Sequence, residues 1–319
     1  MKRQAQNVCR KAHKQYVSNL VNPESQSVSK KFWNYIKNKR QDPSGIPSLL
    51  SNGRLITDDC AKANLINDYF TSIFTREDAS QIPLMNGNLY PDLPPITVSY
   101  EGVLRLLSQL HPQKATGPDE IPSRFLKEFA SDLTPMLTLI FQASLMQGTV
   151  PEDWKKALVV PAFKQGNRSS ATNYRPISLT CIICKLLEHI ISSNIHAHLK
   201  DHNILHHAQH GFRKHRSCET QLINTIQDFS LALNNREQID AILLDMSKAF
   251  DTVPQERLCY KLFHYGIRGT THMWIRNFLS GRTQKVILNG QTSNFTNVIS
   301  RVPQGSVLGP LLFIIYIRK

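Results

Sequence analysis

The chain has 319 residues, 41% of them hydrophobic, and a formal net charge of +14. That is enough apolar matter for one domain with a sizeable core plus an extension. No apolar stretch approaches the roughly 20 residues a bilayer-spanning helix requires, so a membrane-embedded function is excluded from the reading.

Charge comes in blocks. Residues 1–40 carry ten Lys and Arg against one acid, residues 41–120 five against ten, and residues 121–319 twenty-three against thirteen. A basic arm followed by a basic main domain suits a phosphate backbone, because each neutralised phosphate releases counterions. A positively charged surface kept soluble by repulsion would look the same.

In chain order, residues 1–98 read as a basic arm and a mostly helical, loosely packed connector. Helical patterns over Lys31–Lys39 and Cys60–Phe74 are broken by Asp42-Pro43-Ser44-Gly45, Asn52-Gly53 and the Pro- and Asn-rich stretch from Leu84 to Pro95. From residue 99 the patterning tightens. Val103, Leu106, Leu107 and Leu110 repeat at helical spacing, Ser123 is placed to cap a helix carrying Leu126 and Phe129, and Pro135 and Gly148 fit an early turn and the end of the next. Ala157–Phe163 and Tyr174–Leu179 outline a hairpin with a long tip, and apolar positions from Ile182 to Ile191 mark a helix. Ser217–Leu233 reads as another helix. Ala241–Leu244 predicts a buried strand that delivers Asp245, and Pro254 and Gly266 bracket a further helix. Gln284–Leu288 and Thr292–Ile299 flank Asn289-Gly290, a strong hairpin signal. The loop Pro303–Pro310 follows, in which Gly305 and Gly309 would allow a ligand close to the backbone. The chain closes on the apolar run Leu311–Ile317, which is expected to be a buried element with nothing left to pack under.

Asp245 at a strand end is costly to bury unpaired; a cation ligand and a cap of the following turn both account for it. Asp251, just before Thr252-Val253-Pro254, reads by default as a structural cap. The six cysteines are scattered, and no apolar signal-peptide core follows Met1, so reduced thiols in an intracellular protein, nuclear or cytoplasmic, are expected. Cys181-Ile-Ile-Cys184 has metal spacing, and eight of the twelve histidines fall between His189 and His215. With two isoleucines between the thiols and no second Cys pair, no zinc site is expected. The histidines read as a polar, solvated surface.

Five ordered segments resemble the reverse transcriptases of non-LTR (LINE-type) retrotransposons: Lys114–Asp119 (KATGPD), Asn173–Leu179 (NYRPISL), Gln209–Arg213 (QHGFR), Leu244–Asp251 (LDMSKAFD) and Pro303–Pro310 (PQGSVLGP). The segments KFWNYIKNKR and LINDYFTSIFT are similar to the family's connector between endonuclease and polymerase. The resemblance implies an α+β right-hand polymerase, the fingers and a partial palm over residues 99–319, with an antiparallel sheet and packed helices. It implies RNA-directed DNA synthesis, with an RNA template, a DNA primer and dNTPs as partners and Mg²⁺ or Mn²⁺ as cofactor; the oligomeric state is left open.

Carried over by position, Asp245 becomes the first metal-binding aspartate and Phe250 the aromatic that rejects a ribose 2′-hydroxyl by clash, although a plain core aromatic would look alike. Lys164 and Arg175 on the fingers hairpin would clamp the triphosphate. Gln304 and Gly305 would hold template and nucleotide, and Gln209, Gly211, Phe212 and Arg213 would line the template path. The family continues to an aromatic-Ala-Asp-Asp hairpin and a thumb. The expectation is therefore a truncated chain, inactive as a polymerase by itself because one aspartate does not hold two ions about 3.5–4 Å apart. A non-catalytic module binding RNA or RNA/DNA hybrid is the alternative, and an aggregating product without function a third. Arg301 and Glu120 stand where glycine is usual, and Arg301 would strain its turn if φ is positive.

Overall fold

The computed structural model describes residues 10–12, 14–15, 45–78, 80, 82–83, 85 and 88–318. Two compact units separate at Pro47 and Ser48. The first is largely outside the described residues, as is the helix expected over Lys31–Lys39.

The second unit, Ser48–Lys319, is built on a mixed sheet flanked by helices. A two-stranded ribbon, β1 (Leu49–Ser51) and β2 (Arg54–Ile56), turns at Asn52-Gly53 and leads to α1 (Asp59–Ser72), whose N-terminus is capped by the Asp58 carboxylate accepting from the Ala61 N–H. Then follow α2 (Tyr100–Ser108), α3 (Ser123–Glu128), α4 (Ala130–Gln147), β3 (Lys156–Phe163), β4 (Tyr174–Leu179), α5 (Ile182–Asp201) and α6 (Cys218–Asn234). The unit ends with α7 (Gln255–His264), α8 (Gly269–Leu279), β5 (Arg282–Leu288), β6 (Gln291–Thr292), β7 (Thr296–Val298) and α9 (Leu308–Ile317).

The main sheet runs β4-β3-β5-β6, with β7 also on β5. β3 and β4 are antiparallel, pairing Ala162 with Arg175 and Val160 with Ile177. β3 and β5 are parallel, pairing Val159 with Val286. An all-antiparallel sheet was expected, so this is a correction: a hairpin turn advertises antiparallel neighbours, whereas the β3–β5 pair joins strands more than a hundred residues apart and leaves no local mark. At Asn289-Gly290 the expected hairpin forms, with both residues at positive φ (49° and 81°), the pattern of a type I′ turn.

The core is helical and continuous, from Val103 and Leu107 on α2 through Phe141 on α4, Leu187, Ile191 and Ile195 on α5, to Trp274 and Phe278 on α8. Trp274 is fully buried, stacks on Phe278 at 5.3 Å, and donates from its indole N–H to Ser144 Oγ at 2.8 Å. The buried tryptophan thus keeps its polar handle satisfied.

Four expectations are corrected by this packing. The described part of residues 48–98 is not a loose connector: Ala63, Ile66 and Phe70 of α1 are buried, and Asn67 bridges to the sheet, donating to Thr296 Oγ1 and accepting from Gln284 Nε2. The closing apolar run does have something to pack under. It forms α9, whose Leu311, Leu312, Ile314 and Ile315 are buried against α5 and α7. Ser123 is the first residue of α3 rather than its cap; its hydroxyl donates instead to the His111 carbonyl. Among the histidines, His198 and His210 are buried, His198 Nε2 sitting 2.7 Å from the Tyr265 carbonyl.

Ala241–Leu244 is not a strand. Ile242, Leu243 and Leu244 are 83%, 91% and 87% exposed, and no residue of the preceding α6 is buried. Apolarity shows what gains from burial, but a strand also needs a ladder partner, and no described strand lies alongside this segment. No helix among the described residues is long and apolar enough to cross a membrane.

Candidate active site

The site is built where the loop Ser300–Val307 lies between two other segments. On one side is the turn that ends LDMSKAFD: the Val302 N–H donates to the Phe250 carbonyl at 3.0 Å, the Arg301 N–H to the Val253 carbonyl at 3.1 Å, and Ser300 Oγ to the Asp251 carbonyl at 3.0 Å. On the other side is β4. The Ser178 N–H donates to the Gln304 carbonyl at 2.9 Å, and Arg301 Nη2 to Ser178 Oγ at 2.7 Å. β4 is the sheet edge, so the loop satisfies backbone groups that the ladder leaves open. Three of the sequence segments are thereby laced into one structure.

Two glycines in the loop make close approaches to neighbouring backbone possible. Gly305 has φ 107°, and a Cβ there would lie 2.4 Å from the Ser178 carbonyl oxygen; at Gly309 it would lie 2.8 Å from the Pro303 carbonyl. The close approach that each permits here is to the protein's own backbone.

Gln304 donates its amide to Asp251 Oδ2 at 3.1 Å. Asp251 is buried and forms no cap: α7 follows Pro254, and its first-turn Glu256 and Arg257 N–H groups donate to the Glu77 carboxylate instead. Desolvation raises its pKa, opposed by the charges of Arg301 and Lys248. Arg301 is itself buried, at φ 91°, with Nη1 3.9 Å from Asp251 Oδ1. Burial lowers the Arg301 pKa to about 10, which leaves it charged at neutral pH. The positive φ that would strain a non-glycine residue in this turn is present, and the side chain is paired with a buried carboxylate.

Phe250 is half-buried, stacked on Phe313 of α9 at 4.5 Å and met edge-on by Phe212 at 5.7 Å. The QHGFR turn is thus brought to the LDMSKAFD turn by aromatic contact. Within that turn Gln209 Nε2 donates to the Gly211 carbonyl and Arg213 Nη1 to the His206 carbonyl, while Phe212 takes φ 58° and stays about half exposed.

Arg175 and Lys164 share the β3–β4 hairpin and are exposed. Arg175 lies on the strand face opposite Ser178, beside the exposed Ile177. Asp245 is exposed in the extended segment. Among the described residues no group of three or more His, Cys, Asp and Glu is placed to hold a metal ion. Asp251, six residues further on, is already engaged by Gln304 and Arg301. A two-ion centre needs further carboxylates beside Asp245.

One anchoring residue gave no sequence signal. Glu188 on α5 is fully buried, and its Oε2 accepts from the N–H groups of Val307 and Leu308 at 2.7 and 3.0 Å. It satisfies the first open donors of α9 and places a carboxylate at the positive end of the helix. Burial raises its pKa; those two N–H groups and Arg282 pull it back.

Comparison with known proteins places this geometry in context. The family model described as reverse transcriptase (RNA-dependent DNA polymerase) matches residues 163–319. The chain is 27% identical over 300 residues to the probable RNA-directed DNA polymerase from transposon BS of Drosophila melanogaster, covering 89% of this chain and 32% of that protein. It is 30% identical over 225 residues to the RNA-directed DNA polymerase from mobile element jockey of the same species, covering 70% and 24%. A third similarity, 30% over 176 residues and 54% of this chain, is to the Pol polyprotein from type-1 retrotransposable element R2 of Popillia japonica. The chain spans about a third or less of the length of these relatives.

Proposed function

This chain belongs to the reverse transcriptase family, and on that premise we propose that Ser48–Lys319 is the fingers and part of the palm of a non-LTR retrotransposon RNA-directed DNA polymerase, gripping an RNA template and a DNA primer. The observation that carries this reading is the lacing of the Pro303-Gln304-Gly305 loop between the Phe250–Val253 turn and the edge strand β4. It brings the segments proposed to hold template, nucleotide sugar and triphosphate into one unit.

In this reading Arg175 and Lys164 reach the triphosphate from the exposed face of the fingers hairpin, as planar and point-charge phosphate donors. Phe250, its ring fixed between Phe212 and Phe313, presents a rigid wall against a 2′-hydroxyl. Gln304, Gly305 and the Gln209–Arg213 turn border the template. A divalent cation would bind at Asp245 only with further carboxylates beyond the described set, so the chemical step is not assigned to these residues. Their own work is to bind, orient and exclude.

Equilibrium binding of an RNA template annealed to a DNA primer tests this. The log of the affinity is expected to fall linearly with the log of salt concentration, with a slope of several phosphates. Asp245→Asn is expected to leave the fold within about 0.5 kcal/mol, as befits an exposed residue, and to leave binding unweakened. A salt-independent affinity would remove the phosphate-gripping reading.

A further inference from the structure

Arg301 holds a positive-φ backbone conformation and a buried charge in the same turn. Its guanidinium is enclosed by Asp251, by the Ser178 hydroxyl of β4 and by the Phe74 ring, 5.8 Å away in the segment after α1. Thr75 closes the same corner: its N–H donates to Ser300 Oγ and its hydroxyl to the Thr252 carbonyl. Among the described residues, Nε and Nη1 of Arg301 find no hydrogen-bond acceptor. Donors left open in a buried site make a pure stability role for this arginine a poor one.

What the arginine does accomplish is electrostatic. Asp251 Oδ2 receives the Gln304 amide N–H, a bond that an ionised carboxylate accepts more strongly than a neutral carboxyl does. A protonated carboxyl would offer a donor and favour the opposite face of the amide. We propose that Arg301 is a positioning residue for the template-gripping loop: its buried charge keeps Asp251 ionised, and Asp251 in turn fixes the Gln304 amide with its carbonyl oxygen turned away from the pair. The inference rests on the polymerase reading only in taking Gln304 as a template contact; the electrostatic coupling stands without it.

Charged groups facing the pair are Arg301 on the loop, Lys248 on the preceding turn and Arg282 at the start of β5, which faces Arg301. Asp251 has a folded pKa raised above its unfolded value, so its contribution to stability is fully present below the unfolded carboxyl pKa and is lost as pH rises through the folded one. Removing Arg301 removes the largest opposing charge and moves that loss to higher pH.

The test uses the 319-residue chain labelled with ¹⁵N-glutamine, without nucleic acid, and follows the Gln304 side-chain amide against pH, its signal assigned through Gln304→Glu. The signal is expected to titrate with one midpoint in the wild type and to stop titrating in Asp251→Asn. In Arg301→Gly the midpoint is expected to rise by about one pH unit or more, the usual effect of an opposite charge at this range. Arg301→Lys, which keeps the charge, is expected to fall between. A Gln304 signal insensitive to pH in the wild type overturns the proposal, as does a midpoint unmoved by either Arg301 substitution. Should Arg301→Gly not fold, the wild type, Asp251→Asn and Arg301→Lys decide the matter. With no template in the tube, failure of the polymerase reading would leave this result untouched and show only in template binding.

Discussion

Glu188→Leu is expected to lower the unfolding free energy by about 3–5 kcal/mol, the range for removing one member of a buried charge network. The loss has two sources: the Val307 and Leu308 N–H groups lose their shared acceptor, and the buried Arg282, whose charge opposes the upward shift of the Glu188 pKa, loses a nearby anion. Glu188→Gln keeps an acceptor oxygen but not the charge and is expected to lose about 1–2 kcal/mol, near the net value of a hydrogen bond. Urea unfolding followed by tryptophan emission measures both. The prediction fails if the leucine variant unfolds within 1 kcal/mol of the wild type. The functional consequence follows from position, since α9 begins immediately after the Gln304-Gly305 loop, and a loosened α9 also loosens the Phe313 ring on which Phe250 stacks.

Gly305→Ala is the second large effect. A Cβ at this position would sit 2.4 Å from the Ser178 carbonyl oxygen, and φ is 107°, so backbone strain of about 1–3 kcal/mol adds to a clash with backbone that has little room to yield. The loop is expected to part from β4, giving up the hydrogen bond from Ser178 to Gln304, and template affinity is expected to fall at least tenfold, about 1.4 kcal/mol. Gly53→Ala is the control: φ is 77° there and nothing lies within 4 Å of the added carbon, so strain acts alone and binding should not change. Equal affinities for the Gly305→Ala variant and the wild type would mean that the loop does not depend on β4.

Much of the fold was legible because punctuating residues act locally. Gly148 and Gly266 end α4 and α7 at positive φ, Pro254 precedes α7, Ser217 caps α6 and Asn289-Gly290 turns the hairpin. Each signal is read by the backbone within a few residues of where it stands. The misses share the opposite character. The parallel β3–β5 pair, the Glu188 cap on a helix more than a hundred residues away, and the Ser178 carbonyl filling the space at Gly305 are decided by partners the local sequence does not contain. Ala241–Leu244 failed for the same reason: its β-branched, apolar character describes one side of a pairing whose other side is not among the described residues. Arg301 was legible as a departure from the family pattern, and the strain that a positive φ would bring was named as a condition, but its φ of 91° and its ion pair with Asp251 need the fold to be seen. Three of the five segments that gave the family are laced together by hydrogen bonds and a fourth, Gln209–Arg213, joins them through Phe212, whereas Asp245, the residue on which the resemblance placed most chemistry, lies outside that lacing.

In the proposed polymerase the Pro303-Gln304-Gly305 loop and the Gln209–Arg213 turn border the template. The direct measurement is photo-crosslinking with an RNA template carrying 4-thiouridine at the first unpaired position beyond a DNA primer, the attached peptides being mapped by mass spectrometry. Crosslinks at residues 209–213 and 302–306, weakened by Gly305→Ala, are the predicted result. Crosslinks confined to residues 1–47, or unchanged by Gly305→Ala, would contradict the claim.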